Sequence, residues 1–241
     1  MGVRPPALED LGLRVLAASR ARVEALPAGA SVLDVGGWAE PLARADWVMD
    51  LMPWETRGLY GSADLHATER FGAPTWVQRD ICSREPWPFA DGNFDFAVCS
   101  HTLEDVRDPV WVCSELSRVA RAGYVEVPSR LEEQSFGVQG DWVGWGHHHW
   151  LVDAVDGGLE LVFKPHILVR DDLHFPAGFA GSLSAEERVT TLWWEGEVRA
   201  WERVFVDPSL DDWLRAPLVA RGYGDTTAAK GGWLRRFGRR R

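Results

Sequence analysis

Histidines, carboxylates and glycines gather at a few points of this 241-residue sequence. The densest group is Gly146-His147-His148-His149-Trp150. Imidazoles titrate near neutral pH and serve as general bases or as metal ligands. Side chains on an extended segment alternate, so His147 and His149 share a side and His148 points the other way. A zinc or iron site would need further ligands, for which His101, Glu104 and Cys99 are available. No CxxC or HxxxH spacing accompanies them, and no metal is expected. Proton transfer, substrate contact and a structural role all stay open for the histidines. His101 and Glu104 are three residues apart and share one face if their segment is helical. A carboxylate at a helix start is also favoured by the macrodipole alone. Glu126 and Arg130 flank Pro128, where they could act as a base and a bidentate carboxylate holder, or pair with each other or with helix ends.

The elements that must position these groups follow from apolar spacing. Leu11–Leu26 carries Leu13, Val15, Leu16, Val23 and Leu26 at helical intervals and stops at Pro27, which predicts an amphipathic lead-in helix. Short apolar runs at Ser31–Val35, Trp47–Met49, Trp76–Gln78, Phe94–Cys99 and Tyr124–Val127 predict five strands, and Val110–Ala120 a helix between the last two. Buried strands joined by helices or connecting segments imply an α/β fold with a doubly wound, Rossmann-like, mostly parallel sheet. Ligands of such sheets bind beyond the carboxyl ends of the strands. Those ends hold Asp34 with Gly36, Asp50, Asp80, Ser100 with His101, and Glu126. After Pro128 two antiparallel hairpins are expected to extend the sheet. One joins Trp150–Val155 to Leu159–Pro165 around Asp156-Gly157-Gly158, and the other joins Thr190–Trp194 to Val198–Val206 around Glu195-Gly196-Glu197. The expected organisation is a lead-in over 1–29, a binding domain over 30–170, a strand-rich extension over 171–225 and a disordered basic tail over 226–241.

The chain is 46% hydrophobic and 26% charged, ordinary for a globular protein, with a net charge of -10. Seven Lys/Arg and one Asp follow position 220, so the end carries +6 and residues 1–220 carry -16. That balance argues against nucleic acid as a partner, because phosphate contacts need clustered cations. Met1–Leu13 lacks a basic start followed by an apolar stretch, and no run is long enough for a membrane span. Cys82, Cys99 and Cys113 have no close pairing and are expected as buried free thiols in the cytoplasm. Of fourteen tryptophans, Trp38, Trp54, Trp142, Trp145, Trp150, Trp193 and Trp194 fall outside the obvious strands, which suits a pocket, an interface such as a homodimer, or core filling.

The stretches SVLDVGG, WVMDL, WVQRDI, PWPFADGNFDFAVCSHTLEDVRDP and ELSRVARAGYVEVPS occur in the order found in class I methyltransferases that use S-adenosylmethionine (SAM). Over roughly Ala30–Arg130 the sequence resembles the small-molecule branch of that family, through its Pro-Phe-x-Asp-x-x-Phe-Asp run. The resemblance implies SAM as co-substrate. Gly36 and Gly37 would lie along its methionine part and Asp34 would face its ammonium. Asp50 would take the ribose hydroxyls, Asp80 the adenine amino group with Ile81 beside the ring, and Ser100 and His101 would sit beneath the sulfonium. Trp38 departs from the pattern, standing where the family carries glycine, and the stretch from Gly36 to Asp50 leaves little room for a first helix.

Two enzymatic expectations result, and one that is not enzymatic. The first is methyl transfer to a small-molecule acceptor, with His101, Glu104, His147 or His149 taking the acceptor proton. The second uses a base to cyclise the methionine part of SAM, releasing methylthioadenosine and a cyclopropane amino acid, and is motivated by Trp38 and the histidines. The third is a binding subunit without catalysis.

Overall fold

The computed structural model describes residues 15–58 and 68–223. The start of the lead-in helix at Leu11 and the basic tail over 226–241 lie outside the described residues. Ala17–Glu24 forms α1, the described part of the lead-in. Four apolar runs then form β1 (Val32–Val35), β2 (Trp47–Asp50), β3 (Trp76–Gln78) and β4 (Phe96–Ser100), followed by α2 (Pro109–Val119) and β5 (Ala122–Pro128). Asp108 caps α2 by accepting from the Trp111 N–H at 3.0 Å, and Pro109 starts the helix where no N–H partner is needed.

Six strands make the main sheet, in the order β3-β2-β1-β4-β5-β8, where β8 is Val189–Glu195. The first five run parallel and β8 pairs antiparallel with β5. This is the Rossmann-like arrangement expected. The chain leaves β1 toward β2 on one side and returns to β4 on the other, so a crevice opens at the carboxyl ends of β1 and β4. The period-2 alternation of strand side chains sends Val32, Val48, Phe96, Val98 and Tyr124 to one face. Val23 of α1 packs there with Leu42 and Ala45 of the β1–β2 connection. Leu33, Val35, Met49, Ala97, Cys99 and Val125 face the other way, onto Val112, Cys113, Leu116 and Val119 of α2. As the short spacing implied, the β1–β2 connection holds no helix.

The second half corrects part of the expected pattern. The hairpin around Asp156-Gly157 forms, as β6 (Trp150–Val155) and β7 (Gly158–Phe163). It does not extend the main sheet but builds a separate one, β6-β7-β9, with β9 at Ala200–Glu202. Trp150, Val152, Leu159 and Leu161 press this small sheet onto the main one. The second expected hairpin is absent, because β8 pairs with β5 while β9 runs parallel to β7. Its register explains the choice. Gly123 of β5 lies opposite Trp194, and a Cβ at Gly123 would stand 2.5 Å from the Trp194 ring, so the strand without a side chain takes the large one.

Two helices lie outside the sequence expectations. Arg130–Glu133 forms a single turn, α3, capped by Ser129. Ser209–Ala220 forms α4 despite Pro217. That proline removes the hydrogen bond to the Trp213 carbonyl. Arg130 supplies a donor instead, 2.7 Å from that oxygen, and lays its guanidinium 3.5 Å over the Trp213 ring. Most of the unplaced tryptophans prove to be core: Trp145, Trp150 and Trp194 are buried and Trp54 and Trp193 pack on buried residues, while Trp142 is 46% exposed. No helix among the described residues is long and apolar enough to cross a membrane.

Candidate functional site

A cavity of about 670 Å³ opens at the carboxyl ends of β1, β2 and β4. One wall comes from the turn after β1, another from the ends of β2 and β3, and the floor from the segment after β4. The His147–His149 stretch closes the remaining side. Asp34, Gly36, Gly37, Trp38, Asp50, Asp80, Ile81, Ser100, His101, Glu104, His147 and His149 all line it, so the strand-end carboxylates and the histidines meet in one space. A volume of this size suits a drug-sized ligand.

The turn after β1 is built around Asp34. This carboxylate is 4% exposed and accepts from the Leu42 N–H at 2.8 Å. Burial pushes its pKa up to about 7, with Asp50 adding repulsion. Gly36 sits at φ +81°, and a Cβ there would meet Thr102 Oγ1 at 2.0 Å; a Cβ on Gly37 would meet Asp34 Oδ2 at 2.2 Å. Both glycines are therefore required by the protein's own packing. Replacing Gly36 with alanine is expected to cost about 1–3 kcal/mol from left-handed strain and overpacking, read as a lower urea midpoint.

Asp50 is buried at the end of β2 and takes one backbone donor on each oxygen, Met52 N at 2.8 Å and Trp38 N at 3.0 Å. Burial raises its pKa and these amides oppose the rise. Each oxygen keeps a lone pair for a ligand hydroxyl. The Trp38 indole donates away from the carboxylate, to the Thr56 carbonyl at 2.8 Å, which fixes the ring in the cavity wall. Asp80 differs in being already engaged. Its oxygens accept from Cys82 N at 2.9 Å and from Arg107 at 2.8 Å, and although its slight burial works the other way, these contacts hold its pKa below the ordinary value.

The floor corrects the helical expectation for His101 and Glu104. Their segment is a run of turns, and His101 sits at φ +50°, an uncommon conformation for a residue with a side chain. Turning back this way aims His101 Nε2 at Glu126, 3.2 Å off, and leaves Nδ1 3.9 Å from Glu104 Oε1. Burial disfavours the imidazolium, yet Glu126 and Glu104 together raise its pKa. Glu104 is 1% exposed, and neither of its oxygens has a hydrogen-bond partner among the described residues. Burial raises its pKa.

The histidines do not form the expected extended segment: Gly146 and His147 lie in a turn, His148 is buried, His147 and His149 are exposed, and all three line the cavity. The buried one is the inner member of a chain of charged groups that sequence reasoning does not reach. His148 Nδ1 lies 2.6 Å from Glu133 Oε1, and Lys164 donates to Glu133 Oε2 at 2.7 Å. His148 Nε2 then stands 3.9 Å from Glu104 Oε1. His148 and Lys164 hold the Glu133 pKa below the ordinary value against its burial. Beside it, Glu132 accepts from Arg188 at 3.2 Å, and burial pushes its pKa up to about 7. The clue in the sequence is a polar run, Glu132-Glu133-Gln134-Ser135, placed straight after a strand; all four are buried. Glu126 and Arg130 do not pair: Glu126 turns to Tyr124 and His101, and Arg130 holds Asp153 at 2.9 Å. Among the described residues no group of three His, Cys, Asp or Glu side chains is arranged to hold a metal ion.

The raised groups give a signed pH dependence. Asp34 and Glu132 hold protons more tightly folded than unfolded, so their contribution is present below the ordinary carboxylate range and is lost as pH rises through about 7. His101, raised by its carboxylates, acts in the same direction. The melting temperature of the unliganded protein is therefore expected to fall between pH 5.5 and pH 8; a rise would contradict the burial of these groups.

Residues 59–125 match the family model described as a methyltransferase domain. No curated protein matches the sequence. Similar solved structures include a SAM-dependent methyltransferase from Aquifex aeolicus, 19% identical over 51% of this chain and 69% of that one, with a TM-score of 0.36. The YcgJ protein from Bacillus subtilis is 20% identical over 50% of this chain and 51% of that one, TM-score 0.37. A candidate methyltransferase from Bacillus halodurans is 21% identical over 46% of this chain and 50% of that one, TM-score 0.36. The chain spans about half the length of the latter two.

Proposed function

We propose that this chain, with its methyltransferase-domain stretch, binds SAM in the cavity at the strand ends and transfers its methyl group to a small-molecule acceptor. The observation that carries the reading is that Asp34, Asp50, Glu104 and the histidines face one cavity from the ends of separate strands. Such a wall suits a ligand with a cationic sulfur and a cationic ammonium. Residues 30–170 are read as the SAM-binding unit and 171–225 as an extension. The free, buried thiols of Cys82, Cys99 and Cys113 fit a reducing compartment such as the cytoplasm.

In this reading Asp50 accepts the ribose hydroxyls. The backbone at Gly36 and Gly37 runs along the methionine part, Asp34 faces its ammonium, and Ile81 packs against the adenine. Asp80 contributes mainly by fixing Arg107 at the rim. Bound SAM supplies a methyl group on a positively charged sulfur. The floor residues Ser100, His101 and Glu104 position the acceptor, and much of the rate comes from holding the reacting atoms in line. His101, Glu104 or one of His147 and His149 takes the proton that the acceptor loses.

A second reading rests on Trp38, His147 and His149 lining the same cavity as the glycine turn. A base there would remove the α-proton of the methionine part, and the resulting carbanion would displace methylthioadenosine from the γ-carbon. Incubation with methyl-labelled SAM, with and without a pool of amines, phenols and carboxylic acids, separates the two. Methyl transfer yields S-adenosylhomocysteine only when an acceptor is present. Methylthioadenosine from SAM alone favours the second reading, and the absence of both products contradicts each.

A further inference from the structure

We propose that the inner end of the cavity is a subsite for a protonated amine, so that the acceptor is an amine carried on an apolar body. This deepens the methyl-transfer reading and rests on it. Glu104 lines the cavity at 1% exposure, and neither of its oxygens has a donor among the described residues. A buried carboxylate in that condition is costly unless something supplies donors.

The nearby lysine and arginine donors among the described residues are turned elsewhere. Lys164 is committed to Glu133 and Arg188 to Glu132. Arg20 and Arg107 reach Glu40 and Asp80 in other parts of the wall. The two imidazoles flank Glu104 Oε1 at 3.9 Å each, beyond hydrogen-bond reach; Glu133 holds His148 from behind, while His101 lies 3.2 Å from Glu126 and neither of its nitrogens makes a hydrogen bond among the described residues. One carboxylate and two imidazoles thus meet at the buried inner end of the cavity lining. A carboxylic acid head would bring a second anion to it, and a hydroxyl brings one donor. A protonated amine brings three donors to oxygens that have none.

The body of the acceptor has a place to go. His148 and His149 also border a second groove, of about 160 Å³, walled by Trp142, Phe163 and Pro165, with Phe163 and Trp142 exposed. The reaction balances without a further reagent. The ammonium gives one proton to Glu104 and the nitrogen lone pair forms the N–C bond. The C–S electron pair stays on sulfur, leaving S-adenosylhomocysteine and a methylated ammonium.

The test is a calorimetric titration of the protein saturated with S-adenosylhomocysteine, using 2-phenylethylamine, 2-phenylethanol and 3-phenylpropionate. The amine is expected to bind about 10- to 100-fold more tightly than the alcohol, the range of one charge-assisted hydrogen bond, and the acid not at all. Glu104→Gln is expected to abolish the preference for the amine. Equal or tighter binding of the alcohol or the acid, no binding of the amine at millimolar concentration, or an undiminished preference in Glu104→Gln overturns the proposal. The wild-type comparison does not depend on the variant folding. Titrating S-adenosylhomocysteine alone, and repeating the amine series without it, separates the two readings: failure of the nucleoside to bind sinks the SAM reading, while the amine preference is still decided by its own heats.

Discussion

Asp50→Ala is expected to weaken S-adenosylhomocysteine binding by about 10- to 100-fold, the loss incurred when hydrogen bonds to a buried carboxylate are removed. The physical case lies in how the carboxylate is prepared. Met52 N and Trp38 N fix its two oxygens, and burial makes each further donor more valuable than it would be in water. A diol that brings two donors completes the group. Asp50→Asn keeps one acceptor and is expected to fall between wild type and alanine. Because Asp50 also anchors the Trp38 backbone, each variant needs its urea unfolding curve beside its calorimetric affinity. A variant that unfolds normally yet binds as tightly as wild type would remove Asp50 from the ligand site.

The largest effect on stability is expected at Glu133. This carboxylate is fully buried between Lys164 and His148, and Glu133→Ala leaves the largely buried Lys164 ammonium with the Trp145 carbonyl and no counter-charge. Breaking a buried pair from one side costs roughly 3–5 kcal/mol. Glu133→Gln keeps one acceptor oxygen, enough for Lys164, and is expected to cost less. Replacing the pair together, as Glu133→Leu with Lys164→Met, is expected to recover much of the loss, since an apolar pair of similar volume avoids the unpaired charge. Equilibrium urea denaturation of the three proteins reads these differences directly. An unaltered midpoint in Glu133→Ala would mean that water reaches Lys164 and that the chain of charged groups is not closed.

How much of this was legible in the sequence depends on the range of each signal. β1 to β5 and α2 are short apolar runs whose ends carry their own punctuation, so local spacing located them within a residue or two. The strand-end residues Asp34, Asp50 and Asp80 came with them, because a parallel sheet gathers its carboxyl ends without further instruction. Pairing across the chain was not legible. Glu195-Gly196-Glu197 has turn chemistry, but whether β8 folds back on the next strand or joins β5 is settled by Trp194 finding room over Gly123. α4 was hidden by Pro217, which reads as a helix breaker until Arg130, eighty-odd positions earlier, satisfies the orphaned carbonyl.

The floor of the site shows the same limit. Alternation in the sequence separates His148 from its neighbours, yet nothing local gives the turn at Gly146 and His147 or says which side faces inward. Glu132 and Glu133 sit in a stretch as polar as any loop. Their burial is set by Arg188 from the turn before β8 and Lys164 from the end of β7, which come near only when both sheets are packed. A buried ion cluster is a property of the tertiary structure, and a sequence shows only its members.

The most direct test of the central claim is a crystal structure of the protein with S-adenosylhomocysteine. One molecule is expected in the 670 Å³ cavity, its ribose on Asp50, its adenine beside Ile81, and its sulfur turned toward His101 and Glu104. Ligand bound elsewhere, or a cavity left without it at saturating concentration, would contradict the account.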